Sequence, residues 1–145
     1  NILCALNPDN DNLYDVYDLI INFGRELFTG SNILLRFSDN NPEFRRIRLP
    51  LGTGRNIILI GKELLNNILQ HAKAKTVTLS IEITSYRYIC ITISDNGCGF
   101  EGDQILAGNG LRNMQNRAKR LNGKLEINSK INVGTITQVT FPIPK

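Results

Sequence analysis

The sequence predicts an α+β fold, a two-layer α/β sandwich with helices on one face of a mostly antiparallel, mixed sheet. Three observations carry this. "TVTLSIEIT" and "RYICITIS" alternate apolar and polar residues strictly and are joined by a short polar turn. A long amphipathic helix precedes them, and a second helix is followed by another pair of strands. Strands that alternate in this way bury one face only, so one layer of helices suffices to cover them.

The elements follow in order. "NILCALNPD" is a short apolar stretch broken at Asn7-Pro8, because proline disfavours helix in the residue before it. From Asn12, Leu13, Val16, Tyr17, Ile20, Phe23 and Leu27 recur at helical spacing, and "TGSN" ends the helix. "ILLRF" (Ile33–Phe37) reads as a strand, "SDNNPE" as a loop, and "FRRIRL" as a further strand ending at Pro50. The long helix runs from about Thr53 to Ala72, with Ile57, Ile60, Leu64, Leu65, Ile68 and Ala72 on its apolar face. The hairpin puts Val77, Leu79, Ile81 and Ile83 on one side of its first strand, and Ile89, Ile91 and Ile93 on one side of its second. "EGDQILAGNG" is glycine-rich and aperiodic. A helix from about Leu111 to Leu121 presents Leu111, Met114, Ala118 and Leu121. "NGKLEI" is a strand, "SKINVG" a turn, and "TITQVTF" the last strand, with Thr135, Thr137, Val139 and Phe141 on one face.

The bulk properties narrow the function classes. The chain has 145 residues, 41% hydrophobic and 21% charged, which suits one soluble domain. No apolar run approaches the length of a membrane helix. The N-terminus has no basic stretch of a signal peptide and no initiating Met, so the chain reads as part of something longer. The net charge of +4 is scattered, and its densest cluster, Arg45 to Arg48, reads as a solvated basic face rather than a nucleic-acid surface. Three widely spaced cysteines and one histidine match no metal pattern and fit a reducing, cytoplasmic setting.

Two features point to chemistry. Glu63, Asn67 and His71 stand at i, i+4 and i+8 on the long helix, a polar stripe beside the apolar face. It reads either as a solvated margin or as a carboxylate and an amide turned toward a phosphate–metal group, since an amide oxygen suits Mg²⁺ and a carboxylate can take a proton. In "ISDNGCGF" the hairpin's second strand ends in Asp95, followed by Gly97 and Gly99, which permit close backbone approach. "GNGL" (Gly108–Leu111) opens a helix whose N-terminal amides favour an anion, and Gly134 and Thr135 begin the last strand.

Together these residues resemble the Bergerat-fold ATPases, the superfamily of DNA gyrase, a heat-shock chaperone, MutL and the sensor histidine kinases. "ELLNN" (Glu63–Asn67) resembles the N box, "DNGCGF" (Asp95–Phe100) and "GNGL" the two glycine boxes, and "NVGT" (Asn132–Thr135) the closing motif. The finer likeness is to the catalytic domains of nitrate-sensor and thermosensor-type histidine kinases. It implies ATP and Mg²⁺ as cofactors and transfer of the γ-phosphoryl to a His on an upstream dimerisation helix. It further implies a response-regulator receiver as onward partner, no nucleic acid, and a homodimeric parent that is an inner-membrane sensor with this domain in the cytoplasm. Residues 1–8 would be a stub of the second dimerisation helix and 9–145 the catalytic domain, monomeric alone. The implied roles are Asp95 as adenine reader, Thr135 beside it, Gly97, Gly99 and Gly134 as close-approach positions, and Asn67 as Mg²⁺ ligand. Glu63 would be the general base or water-orienting acid. Gly108 and Gly110 would hinge the lid next to Leu111, with Arg112 and His71 near the phosphates. His71 equally reads as a helix-end surface residue, and Cys98 as a small residue of the turn rather than a reactive thiol. Gln70 and Asn132 depart from the family pattern, where a basic residue and a glycine are usual. The alternatives are a nucleotide-binding regulator without transfer activity and an anti-sigma-type serine kinase.

Overall fold

The computed structural model describes residues 12–100 and 109–144. The segments holding the proposed helix stub, Cys4 and Gly108 lie outside them. In chain order the elements are α1 (Leu13–Phe28), β1 (Leu34–Phe37), a 3₁₀ helix (Pro42–Arg46), α2 (Thr53–Asn67) with a π turn (Ile68–Ala72), β2 (Thr76–Ile83), β3 (Tyr88–Asp95), α3 (Asn109–Arg120), β4 (Lys124–Lys130) and β5 (Gly134–Pro142).

The five strands form one sheet in the order β1-β2-β3-β5-β4. Only the β1–β2 pair is parallel; β2–β3, β3–β5 and β4–β5 are antiparallel. The parallel pair needs a crossover, and α2 supplies it. Insertion of β5 between β3 and β4 sets Thr135 opposite Asp95.

The alternation read from the sequence becomes the core. Val77, Leu79 and Ile81 of β2, Ile89, Ile91 and Ile93 of β3, and Thr137, Val139 and Phe141 of β5 are buried. Against them pack Leu13, Val16, Tyr17 and Ile20 of α1, Ile57, Ile60, Leu64 and Leu65 of α2, and Met114 and Ala118 of α3. Ile83, at the strand's end, is exposed. The hydroxyl of fully buried Tyr17 lies 2.8 Å from Ser38 Oγ and donates toward the Ser38 and Leu79 carbonyls. Asn12 caps α1, its side-chain oxygen accepting from the Asp15 amide at 3.0 Å.

Four element expectations need correction. "FRRIRL" is not a strand. Asn41 caps a 3₁₀ helix by accepting from the Glu43 amide at 3.0 Å, and Pro42 stands at its first turn, so helix-start chemistry overrides the alternation. An isolated antiparallel bridge joins Arg48 to Asn12. Arg45 stacks 3.7 Å from the Tyr14 ring centroid and Arg46 pairs with Glu43 at 3.2 Å. Second, regular α-helix ends at Asn67, and the π turn carries the chain to Ala72 before Lys73 reverses it in left-handed geometry at φ 52. Third, α3 begins at Asn109, before Leu111. Fourth, β4 includes Ser129 and Lys130, which were expected in the turn.

Candidate functional site

A cavity of about 610 Å³ opens between α2, the loop after β3, α3 and the β4–β5 hairpin, a size ordinary for a small-molecule site. Its walls join Glu63, Asn67 and His71 from α2 and its π turn, Asp95 from β3, Gly99 from the loop, Leu111 from α3, and Thr135 from β5. The polar stripe therefore lines a cavity. His71, four residues beyond Asn67 and in the π turn, lines the same wall. His71 is also solvent-exposed.

Asp95 ends β3. Its Oδ1 accepts from the Gly97 amide at 2.8 Å, which holds the carboxylate in one orientation at the cavity wall. Burial raises its pKa above the ordinary aspartate value, and backbone N–H groups of Gly97 and Thr135 pull it the other way. Asn96, although exposed, accepts through Oδ1 from the Lys75 and Thr76 amides at 2.9 and 2.8 Å, anchoring the start of β2.

The loop is clamped on both sides by backbone hydrogen bonds. Cys98 N–H donates to Ala72 O at 2.7 Å, and Asn132 N–H to Cys98 O at 2.7 Å. A Cβ on Gly97 would fall on the Ala72 carbonyl, and one on Gly99 (φ +65) on the Lys130 carbonyl. The glycine pair thus has a reason within the protein itself: the loop is wedged between the end of α2 and the tip of the β4–β5 hairpin. Gly97 is absent from the cavity walls, and Gly134 lies behind them, where an added Cβ would meet the Asp95 carbonyl. Asn132 adopts φ 66, so it serves the left-handed position where the family pattern has glycine.

Arg112 and Gln70 are exposed and do not line the cavity. Gly110 falls in the first turn of α3. Thr137, Ile127, Met114, Phe100 and Cys98, with Leu64, Ile68 and Ala72, complete the walls; Cys98 and Phe100 lie in the glycine motif read from the sequence, whereas Thr137 and Met114 were read only as members of an apolar face. Ser129 escaped notice altogether, although its hydroxyl meets Phe100 N at 2.9 Å and Thr135 Oγ1 at 2.8 Å. A lone serine before a turn carries no periodicity that would single it out.

A carboxylate and an amide oxygen one helical turn apart on a cavity wall are a donor set that fits Mg²⁺, which takes few protein oxygens and completes its shell with water and phosphate. Among the described residues, no group of three or more His, Cys, Asp or Glu could hold a metal by itself. No described helix is long and apolar enough to cross a membrane.

Fold and cavity together define a two-layer α/β sandwich with a cavity of small-molecule size. Residues 52–145 match the family described as histidine kinase-, DNA gyrase B-, and HSP90-like ATPase, and the chain belongs to that family. It is 30% identical over 104 residues to the sensor protein VraS of Staphylococcus saprophyticus, covering 71% of this chain and 30% of that protein. To the sensor histidine kinase YdfH of Bacillus subtilis it is 34% identical over 98 residues, covering 66% of this chain and 24% of that protein. The chain thus corresponds to a minor part of each relative's length. Among solved structures, the blue-light activated histidine kinase of Erythrobacter litoralis superposes with a TM-score of 0.70 at 23% identity, over 84% of this chain and 40% of that one. The histidine kinase AdeS of Acinetobacter baumannii gives 0.68 at 14%, over 92% and 66%. At those identities the likeness speaks for the fold: α+β, with a five-stranded mixed open sheet.

Proposed function

We propose that this domain binds Mg-ATP and serves as the catalytic domain of a sensor histidine kinase. The observation that carries the reading is the convergence of Glu63, Asn67, Asp95 and Thr135, from three separate elements, on one cavity. The Asp95 carboxylate accepts from the adenine amino group, with the Thr135 hydroxyl beside it. Asn67 holds Mg²⁺, which when bound would neutralise phosphate charge. Glu63, one turn away, orients or deprotonates the attacking nucleophile. Gly108, Gly110, Leu111 and Arg112 belong to the phosphate end, where helix-start amides favour anions. The acceptor is a His on a dimerisation helix of the parent kinase, of which residues 1–8 would be the end, and an Asp of a response-regulator receiver takes the phosphoryl next. Catalysis of this kind is mostly positioning and charge neutralisation. The parent is a homodimeric inner-membrane sensor with this domain on the cytoplasmic side.

The test is calorimetric titration with ADP and a non-hydrolysable ATP analogue, with and without Mg²⁺. Binding that strengthens with Mg²⁺ and weakens in Asn67→Ala is expected. No binding at millimolar nucleotide would refute the reading. Incubated with radiolabelled ATP, this chain alone should acquire no phosphohistidine, whereas a chain carrying the dimerisation helices should.

A further inference from the structure

Ser129 stands on β4 directly opposite Thr135 of β5. Its hydroxyl meets groups from two other chain segments. It accepts from Phe100 N–H at 2.9 Å, lies 2.8 Å from Thr135 Oγ1, and lies 3.3 Å from the Gly134 carbonyl oxygen. A serine has one proton to give. The shorter contact favours Thr135 as its recipient. Thr135 Oγ1 then accepts from Ser129 and keeps its own proton for the cavity it lines. With the proton on Gly134 instead, Thr135 would have to donate to Ser129 and would offer the cavity only lone pairs.

We propose that Ser129 is a positioning residue that sets base specificity: by donating to Thr135 it makes the Thr135 hydroxyl a donor beside the Asp95 acceptor. The inference rests on the nucleotide reading above and goes one residue behind it. An acceptor next to a donor complements an aminopurine edge, where an amino group that donates adjoins a ring nitrogen that accepts. A 6-oxopurine reverses both, and a site built for one hydrogen-bond pattern rejects the other because its polar groups are left unpaired. The Phe100 bond adds rigidity, since the same hydroxyl ties the loop after Asp95 to the strand carrying Thr135.

The experiment is titration of ADP and inosine diphosphate, whose base carries a carbonyl in place of the amino group, against wild type, Ser129→Ala, Ser129→Thr, Thr135→Val and the Ser129→Ala/Thr135→Val double variant. Ser129→Ala should weaken ADP roughly tenfold and inosine diphosphate much less, so that discrimination falls. Ser129→Thr, which keeps the hydroxyl, should restore it. In the Thr135→Val background Ser129→Ala should cost little more, because the two act through one hydroxyl. Equal weakening of both nucleotides, or additive losses in the double variant, would overturn the proposal and leave Ser129 a tether for Phe100 alone. Should Ser129→Ala not fold, Ser129→Cys, with its weak S–H donor, replaces it under the same expectations. Wild type binding neither nucleotide would overturn the nucleotide reading itself and this inference with it; wild type binding ADP with an unchanged preference in Ser129→Ala would overturn only the inference.

Discussion

Asp95→Asn separates the carboxylate's role in binding from its role in the fold. Asp95 Oδ1 is already engaged by the Gly97 amide at 2.8 Å. An asparagine must keep its carbonyl oxygen there, because the alternative sets an NH₂ against an N–H. The outward position then becomes a donor, facing the amino group of adenine, which is also a donor. The variant loses a hydrogen bond to a charged acceptor, about 1.5–3 kcal/mol, and leaves an unpaired donor in a cavity, about 1–3 kcal/mol. Taking about 3 kcal/mol as the combined loss, the ADP dissociation constant rises roughly a hundredfold at 1.4 kcal/mol per decade. Inosine diphosphate, with a carbonyl at that edge, should lose far less. Calorimetric titration of both nucleotides measures this, and ADP affinity within about threefold of wild type would refute the geometry.

The same substitution has the opposite effect on the ligand-free fold. Burial is the main cause of the raised Asp95 pKa, with the Gly97 and Thr135 amides opposing it. A carboxyl whose folded pKa lies above its unfolded value contributes stability that is fully present below the unfolded value and is lost as pH rises through the folded one. At neutral pH the charge is therefore a cost, and Asp95→Asn should be at least as stable as wild type to urea. As pH falls below the ordinary aspartate range the difference should close. A variant less stable than wild type at neutral pH would mean that the carboxylate's hydrogen bonds outweigh its burial.

The remaining predictions concern the scaffold. Gly97→Ala drives a methyl onto the Ala72 carbonyl and should cost about 2–3 kcal/mol in urea unfolding, read as a lower midpoint at unchanged slope; unaltered stability would show that the loop can move away from α2. Tyr17→Phe removes the hydroxyl of a fully buried tyrosine that serves Ser38 and Leu79 and should cost roughly 1–2 kcal/mol, leaving nucleotide affinity unchanged because no residue of α1 lines the cavity.

Periodicity made the core legible. Every buried residue of β2, β3 and β5 on the helix-facing side falls at an alternate position, and the apolar stripe of α2 follows helical spacing through Ile68. Legibility failed where local chemistry competes with pattern. "FRRIRL" alternates, but Asn41 and Pro42 start a 3₁₀ helix and buried Phe44 anchors it. For the site, helix spacing set Glu63 and Asn67 on one stripe and strand ends set Asp95 and Thr135, both local properties; the resemblance implied that the four share a site, and all four line one cavity. What pins them is not local. Ser129 reaches Phe100, 29 residues away in sequence, through strand pairing that no single segment encodes.

Glycines after an acid at a strand end invite the idea that a ligand requires the space. Here the backbone of the same protein occupies it, with Ala72 on one side and Lys130 on the other. That changes what the glycines do for binding. The loop is tied by 2.7 Å backbone bonds to the turn after α2 and to the hairpin tip, and its Gly97 amide holds Asp95 Oδ1 at 2.8 Å. The carboxylate is thereby aimed before any ligand arrives, so no ordering cost for it falls on binding. The glycines serve recognition at one remove: they allow the wedge, the wedge holds the amide, and the amide holds the acid.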